Sequence, residues 1–118
     1  MGRLTTHVLD TSNGLPAANL SLALWEIDRD GERRLLLETR TNADGRVDAP
    51  LLEGAAFRAG VYEIVFRVGA YFWGRGIDLP DPAFLDEIPL RFGVGDASGH
   101  LHVPLLVSPY GYATYRGS

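Results

Sequence analysis

Residues 19–41, NLSLALWEIDRDGERRLLLETRT, decide the fold class. The first nine positions alternate, so Leu20, Leu22, Leu24 and Glu26 share one side and Ser21, Ala23, Trp25 and Ile27 the other. A period of two is that of a half-buried strand. DRDGE (28–32) then interrupts, with Asp-Gly at its tip, and RRLLLETRT (33–41) returns as a second strand. Asp-Gly between two such runs is a strong hairpin signal. The same punctuation continues outward. NADG (42–45) is a second turn, with RVDAP (46–50) as a short strand behind it, and GVYEIVFRV (60–68) is the clearest core strand. RLTTHVLD (3–10), PLRFGVG (89–95), HLHVPLLVSP (100–109) and YGYATYR (110–116) complete the strand candidates, and NGLPAA (13–18) reads as a loop. GAYFWGRG (69–76) is compatible with two helical turns, and DLPDPAFLDEIP (78–89) is a proline-broken connection. About eight strands, one short helix and no linker predict an all-β single domain over 1–118. Two stacked sheets are the natural way to bury the alternating faces.

Composition excludes several functions. The net charge is −4, and all eleven basic residues are arginine, scattered with only Arg33 and Arg34 adjacent. That pattern offers no basic patch for a nucleic-acid backbone, and the lack of lysine removes Schiff-base chemistry. There is no cysteine, so thiol nucleophiles, disulfides and cysteine-bound metals are out. No apolar run reaches the length of a membrane span. MGRLTTHVLD (1–10) lacks the apolar region of a signal peptide, and a cytoplasmic location is expected.

The chemistry-bearing residues fall on few faces. Thr5, His7 and Leu9 share one side of the first strand, and His100, His102, Pro104 and Leu106 share one side of the histidine strand. Ala113, Tyr115 and Gly117 share a face at the end, with Arg116 opposite, and Arg46 follows the NADG turn. Taken singly, each has an ordinary structural explanation: a strand-edge histidine, a surface charge, a strand aromatic. Yet only three histidines exist, and two stand at i, i+2 on one strand face. Two imidazoles there with His7 from another strand also suit a three-histidine zinc site, with Asp10 and Asp96 as partners behind the ligands. H-x-H alone is a weak metal motif, and we expect no metal and no cofactor. No G-x-S-x-G, H-E-x-x-H or phosphate-cradling glycine loop occurs, so a hydrolase built on this chain would activate water.

LTTHVLDTSNGLPA (4–17), TNADGR (41–46) and HLHVPLLVSPYGYATYRGS (100–118) together closely resemble the 5-hydroxyisourate hydrolases, the transthyretin-related enzymes of purine degradation. The resemblance runs the length of the chain, and the terminal Tyr115-Arg116-Gly117-Ser118 is its most specific element. Leu101 departs from it, standing where the family usually has an aromatic. The resemblance implies a two-sheet transthyretin-like β-sandwich. It further implies a homotetramer, a dimer of dimers with its sites in the channel between dimers, and hydrolysis of 5-hydroxyisourate to 2-oxo-4-hydroxy-4-carboxy-5-ureidoimidazoline without a cofactor.

Residue by residue, the resemblance marks His7, Arg46 and His102 as catalytic. His7 and Arg46, with Tyr115 and Ser118, are marked as binding substrate. It leaves open which histidine is the base. We assign His102 that role and give His7 the orienting of the water. Arg46 would stabilise the oxyanion, Tyr115 would form the pocket floor, and Ser118 would offer its hydroxyl or terminal carboxylate. Arg116 would anchor the terminus, and the chain end would form part of the site wall. Two other functions fit parts of the sequence: a non-catalytic transthyretin-like carrier of small ligands, and a structural β-sandwich module. A bulky Tyr115 on the channel face speaks against the first, and the histidine strand with its terminal motif against the second.

Overall fold

The computed structural model describes residues 1–117; Ser118 lies outside the described residues. Its strands are β1 (Arg3–Asp10), β2 (Leu15–Pro16), β3 (Ser21–Ile27), β4 (Arg33–Arg40), β5 (Leu52–Glu53) and β6 (Gly60–Arg67). A helix, α1 (Val68–Gly74), follows, and β7 (Glu87–Val94), β8 (His100–Ser108) and β9 (Gly111–Thr114) complete the chain. One sheet runs β2-β1-β8-β9 with β5 also on β1, and the other runs β4-β3-β6-β7. The two stack as a sandwich around one core.

The alternation seen in the sequence is what builds the core. Leu4 and Val8 of β1 and Leu101 and Leu105 of β8 face inward, against Leu22 and Leu24 of β3 and Ile64 and Phe66 of β6. Each fully buried aliphatic or aromatic side chain contributes about 1.5–3 kcal/mol over an exposed one. Because inward residues of β1 have even numbers, its odd residues Thr5 and His7 must face out.

Pairing then fixes where the outward groups meet. β1 and β8 run parallel with Thr5 opposite His102, whereas the other strand pairs are antiparallel. The buried Thr6 hydroxyl donates to the Val103 carbonyl at 2.7 Å, tying the two strands together beneath that outer face.

Three local expectations are refined. The helical segment is one residue earlier than GAYFWGRG suggests; Val68, Tyr71 and Phe72 pack inward at helical spacing, and Gly76 (φ 80°) ends it in the left-handed region. The short strand expected at RVDAP is not formed as such. Arg46 makes only an isolated bridge to His7, and strand pairing falls instead at Leu52–Glu53. The final strand stops at Thr114, and pairing resumes once, between Gly117 and His102.

Candidate active site

The outer face of the β1–β8 pair carries a hollow of about 400 Å³ lined by Thr5, Arg46, His100 and His102, with Arg3 and Val47 at its sides. His7 stands beside it, its ring centroid 6.5 Å from that of His102. His7, Arg46 and His102, far apart in the sequence, are thus brought together.

Arg46 is placed by the NADG turn. The Asn42 side-chain oxygen accepts from the backbone N–H groups of Asp44 (2.9 Å) and Arg46 (3.2 Å), and the Asn42 N–H donates to the Arg46 carbonyl at 2.6 Å. Gly45 has a φ of 75°, and a Cβ there would collide with the Val8 carbonyl oxygen. Only glycine therefore lets the turn lie flat on β1. The turn is docked by the Val8 N–H donating to the Gly45 carbonyl at 2.8 Å and by the backbone bridge between His7 and Arg46. Among the described residues no carboxylate pairs with the Arg46 guanidinium.

Each histidine has one nitrogen occupied. His7 Nε2 donates to the Asp44 carbonyl at 2.9 Å, which leaves Nδ1 as its acceptor when the ring is neutral. His102 Nδ1 lies 2.8 Å from the Thr5 hydroxyl, whose oxygen is also 2.6 Å from His100 Nε2. Burial, then the Arg46 charge, pushes the His7 pKa below 6.5, against opposing contributions from Asp44. Burial, then Arg46, His100 and His7, does the same to His102. Both rings are therefore neutral at pH 7, the form able to accept a proton. The unfolded rings take up protons more readily than the folded ones, so stability present above pH 6.5 is lost as pH falls through the folded pKa values.

The terminal motif reaches the site through Gly117. Its N–H donates to the His102 carbonyl at 2.8 Å. A Cβ at Gly117 would stand 2.8 Å from His102 Cδ2 and 3.0 Å from its Cβ, so the motif's glycine makes room for the ring. Gly117→Ala is expected to lower kcat roughly 10-fold to 10²-fold by displacing His102, while the melting temperature stays nearly unchanged. Steady-state kinetics beside a thermal melt check this.

Tyr115 and Arg116 lie elsewhere. Tyr115 is 60% exposed, outside β9. With Tyr112, Thr114 and Arg116 it borders a different hollow, about 450 Å³, against Leu90 and Phe92 of β7. The Ser118 role expected above falls outside the described residues. Neither aspartate stands behind the histidines. Asp10 occupies an inward position of β1 and is 1% exposed. It accepts from Ser12, Asn13 and the Tyr71 hydroxyl, the last at 2.9 Å. Burial alone would raise its pKa, but those hydrogen bonds together hold it low. Burial and the Asp10 hydrogen bond push Tyr71 up to about 12, so this pair locks α1 onto β1. Asp96 accepts from the Ser98 N–H in its own turn. Nor do three potential metal ligands converge anywhere among the described residues.

Sequence reasoning passed over Asn42, Gly45 and Thr5. The first two were legible as turn residues, and Thr5 as a face-mate of His7. What one strand does not show is the parallel register that sets Thr5 against His102.

A transthyretin-type sandwich with a paired-histidine hollow on its outer face defines the class. The chain belongs to the HIUase/Transthyretin family, whose profile matches residues 4–117. It is 64% identical over 118 residues to the 5-hydroxyisourate hydrolase of Mesorhizobium japonicum, covering 99% of this chain and 93% of that one. It superposes on the crystal structure of (S)-allantoin synthase with a TM-score of 0.93 at 46% identity; 99% of this chain matches, but only 44% of that longer chain. The Klebsiella pneumoniae 5-hydroxyisourate hydrolase superposes with a TM-score of 0.79 at 36% identity, over 100% of both chains.

Proposed function

We propose that this chain is a hydrolase that opens the ring of 5-hydroxyisourate with a water activated by histidine, giving 2-oxo-4-hydroxy-4-carboxy-5-ureidoimidazoline. The observation that carries the mechanism is the meeting of two imidazoles, both with lowered pKa, with an arginine that pairs with no carboxylate among the described residues. The full-length likeness to proteins named 5-hydroxyisourate hydrolase carries the substrate.

In this reading a water rests between the rings and donates to His7 Nδ1 and His102 Nε2. His102 takes its proton as the oxygen attacks the ring carbonyl. Arg46 holds the carbonyl oxygen and stabilises the negative charge that grows on it. Its planar fork suits the urea-like edges of the substrate better than a point charge. The imidazolium of His102 then returns the proton to the departing ring nitrogen, and the amide bond opens. Tyr115 borders the other hollow and so is given no place on the floor of this one; Ser118 is assigned a polar contact to substrate, and Arg116 the anchoring of the terminal motif.

The enzyme works as a homotetramer, a dimer of dimers. Its open, outward-facing hollow supports that assembly, because a facing subunit would close it and separate the reacting water from bulk solvent. A cytoplasmic location is proposed with it; no helix among the described residues is long and apolar enough to cross a membrane.

The test is ultraviolet absorbance of 5-hydroxyisourate generated in the cuvette by urate oxidase. Decay faster than the spontaneous trace, unaltered by a chelator, is the expected result. No acceleration by folded, oligomeric protein would refute the reading. A rate abolished by the chelator and restored by zinc would replace histidine-activated water with the metal site.

A further inference from the structure

Thr5 joins the two histidines of the H-x-H pair. Its single hydroxyl oxygen lies 2.8 Å from His102 Nδ1 and 2.6 Å from His100 Nε2. A hydroxyl has one proton to donate, so it cannot donate to both rings. Either it donates to His102 and accepts from His100, or it accepts from His102 Nδ1–H, which leaves its own proton free to go to His100 Nε2. The two directions place the lone pair of neutral His102 on opposite nitrogens. In the first, Nε2 of His102 carries the proton and the ring has no lone pair directed away from Thr5. In the second, Nδ1 carries it and Nε2 is an acceptor.

Resting on the hydrolase reading above, we infer that Thr5 is a positioning residue whose hydroxyl accepts from His102 Nδ1–H and donates to His100 Nε2. This chain holds His102 in the tautomer with its lone pair on Nε2. His100 is the terminal acceptor, which gives the first histidine of H-x-H a purpose although it is exposed and touches no reacting atom. No rearrangement is needed when His102 gains its proton at Nε2, because Thr5 already accepts from Nδ1. The strand register makes the arrangement stiff. Thr5 is paired with His102 across the parallel β1–β8 ladder, and the next residue, Thr6, is bonded to the Val103 carbonyl at 2.7 Å.

Thr5→Val keeps the shape and removes the hydroxyl; Thr5→Ser keeps the hydroxyl. The valine variant is expected to lose kcat about 10-fold to 10²-fold with KM within about twofold of the wild type. The serine variant should stay within about threefold. Nitrogen-15 spectra of the imidazoles should show His102 protonated at Nδ1 in the wild type and a mixture of tautomers in Thr5→Val. Unchanged kcat in Thr5→Val, an equal loss in Thr5→Ser, or a wild-type His102 protonated at Nε2 would each overturn the inference. If the wild type does not hydrolyse 5-hydroxyisourate, the substrate assignment fails separately, and the imidazole spectra alone decide the tautomer.

Discussion

His102→Asn is expected to lower kcat for 5-hydroxyisourate by roughly 10²-fold or more, the usual contribution of a general base. The substitution is chosen to remove little else. An asparagine amide can still meet the Thr5 hydroxyl, which now lies 2.8 Å from His102 Nδ1. What it cannot supply is a second nitrogen at the position of Nε2. The ring is half-buried on an outer strand face rather than in the core, so the stability cost should stay within about 1 kcal/mol, the span of strand propensities. Circular dichroism and thermal melting of the variant separate a lost base from a lost fold. Turnover near that of the wild type would remove His102 from the mechanism and leave His7 as the base.

Arg46→Gln is expected to cost about 10² to 10³ in kcat, as loss of one oxyanion donor does, and to leave a second mark on the pH profile. The Arg46 charge disfavours both imidazolium forms. Removing it therefore raises both histidine pKa values, and the acid limb of the activity should move to higher pH. Burial, the larger cause of depression at each ring, remains in the variant. At His102, where every remaining cause still lowers the pKa, the limb should accordingly stay below the ordinary imidazole value. Arg46→Lys restores charge without the fork and should recover the limb's position more fully than the rate. A loss in rate with an unmoved limb would show that the guanidinium is not near the histidines in solution.

Much of this molecule was legible in its sequence because strand alternation is strict and turn residues are explicit. NLSLALWEI and GVYEIVFRV announce their buried faces, and DRDGE and NADG announce their turns. The histidine pair could be assigned to one face of β8 by counting alone; that this face is the outer one is seen in the fold. Contacts made between strands were not legible. Nothing in RLTTHVLD shows that it pairs parallel to β8 rather than antiparallel to a neighbour, and it is that register which brings Thr5 to His102. Asp10 was misplaced for a related reason. It is close in sequence to His7, but three positions along a strand reverses its side, and it enters the core to meet Tyr71 of α1. The helix boundary and the RVDAP segment slipped because short elements owe their limits to packing rather than propensity.

Hydrolysis by a pair of histidines kept neutral by burial and by Arg46 is tested most directly by the pH dependence of kcat/KM for the unmodified enzyme, which reports the groups of the free protein. Two rings this close titrate together, so the limb belongs to the pair. The expected profile is flat through neutrality and falls only below pH 6.5, the ordinary imidazole value from which both pKa values are lowered. A profile that falls at or above that value on acidification would contradict it.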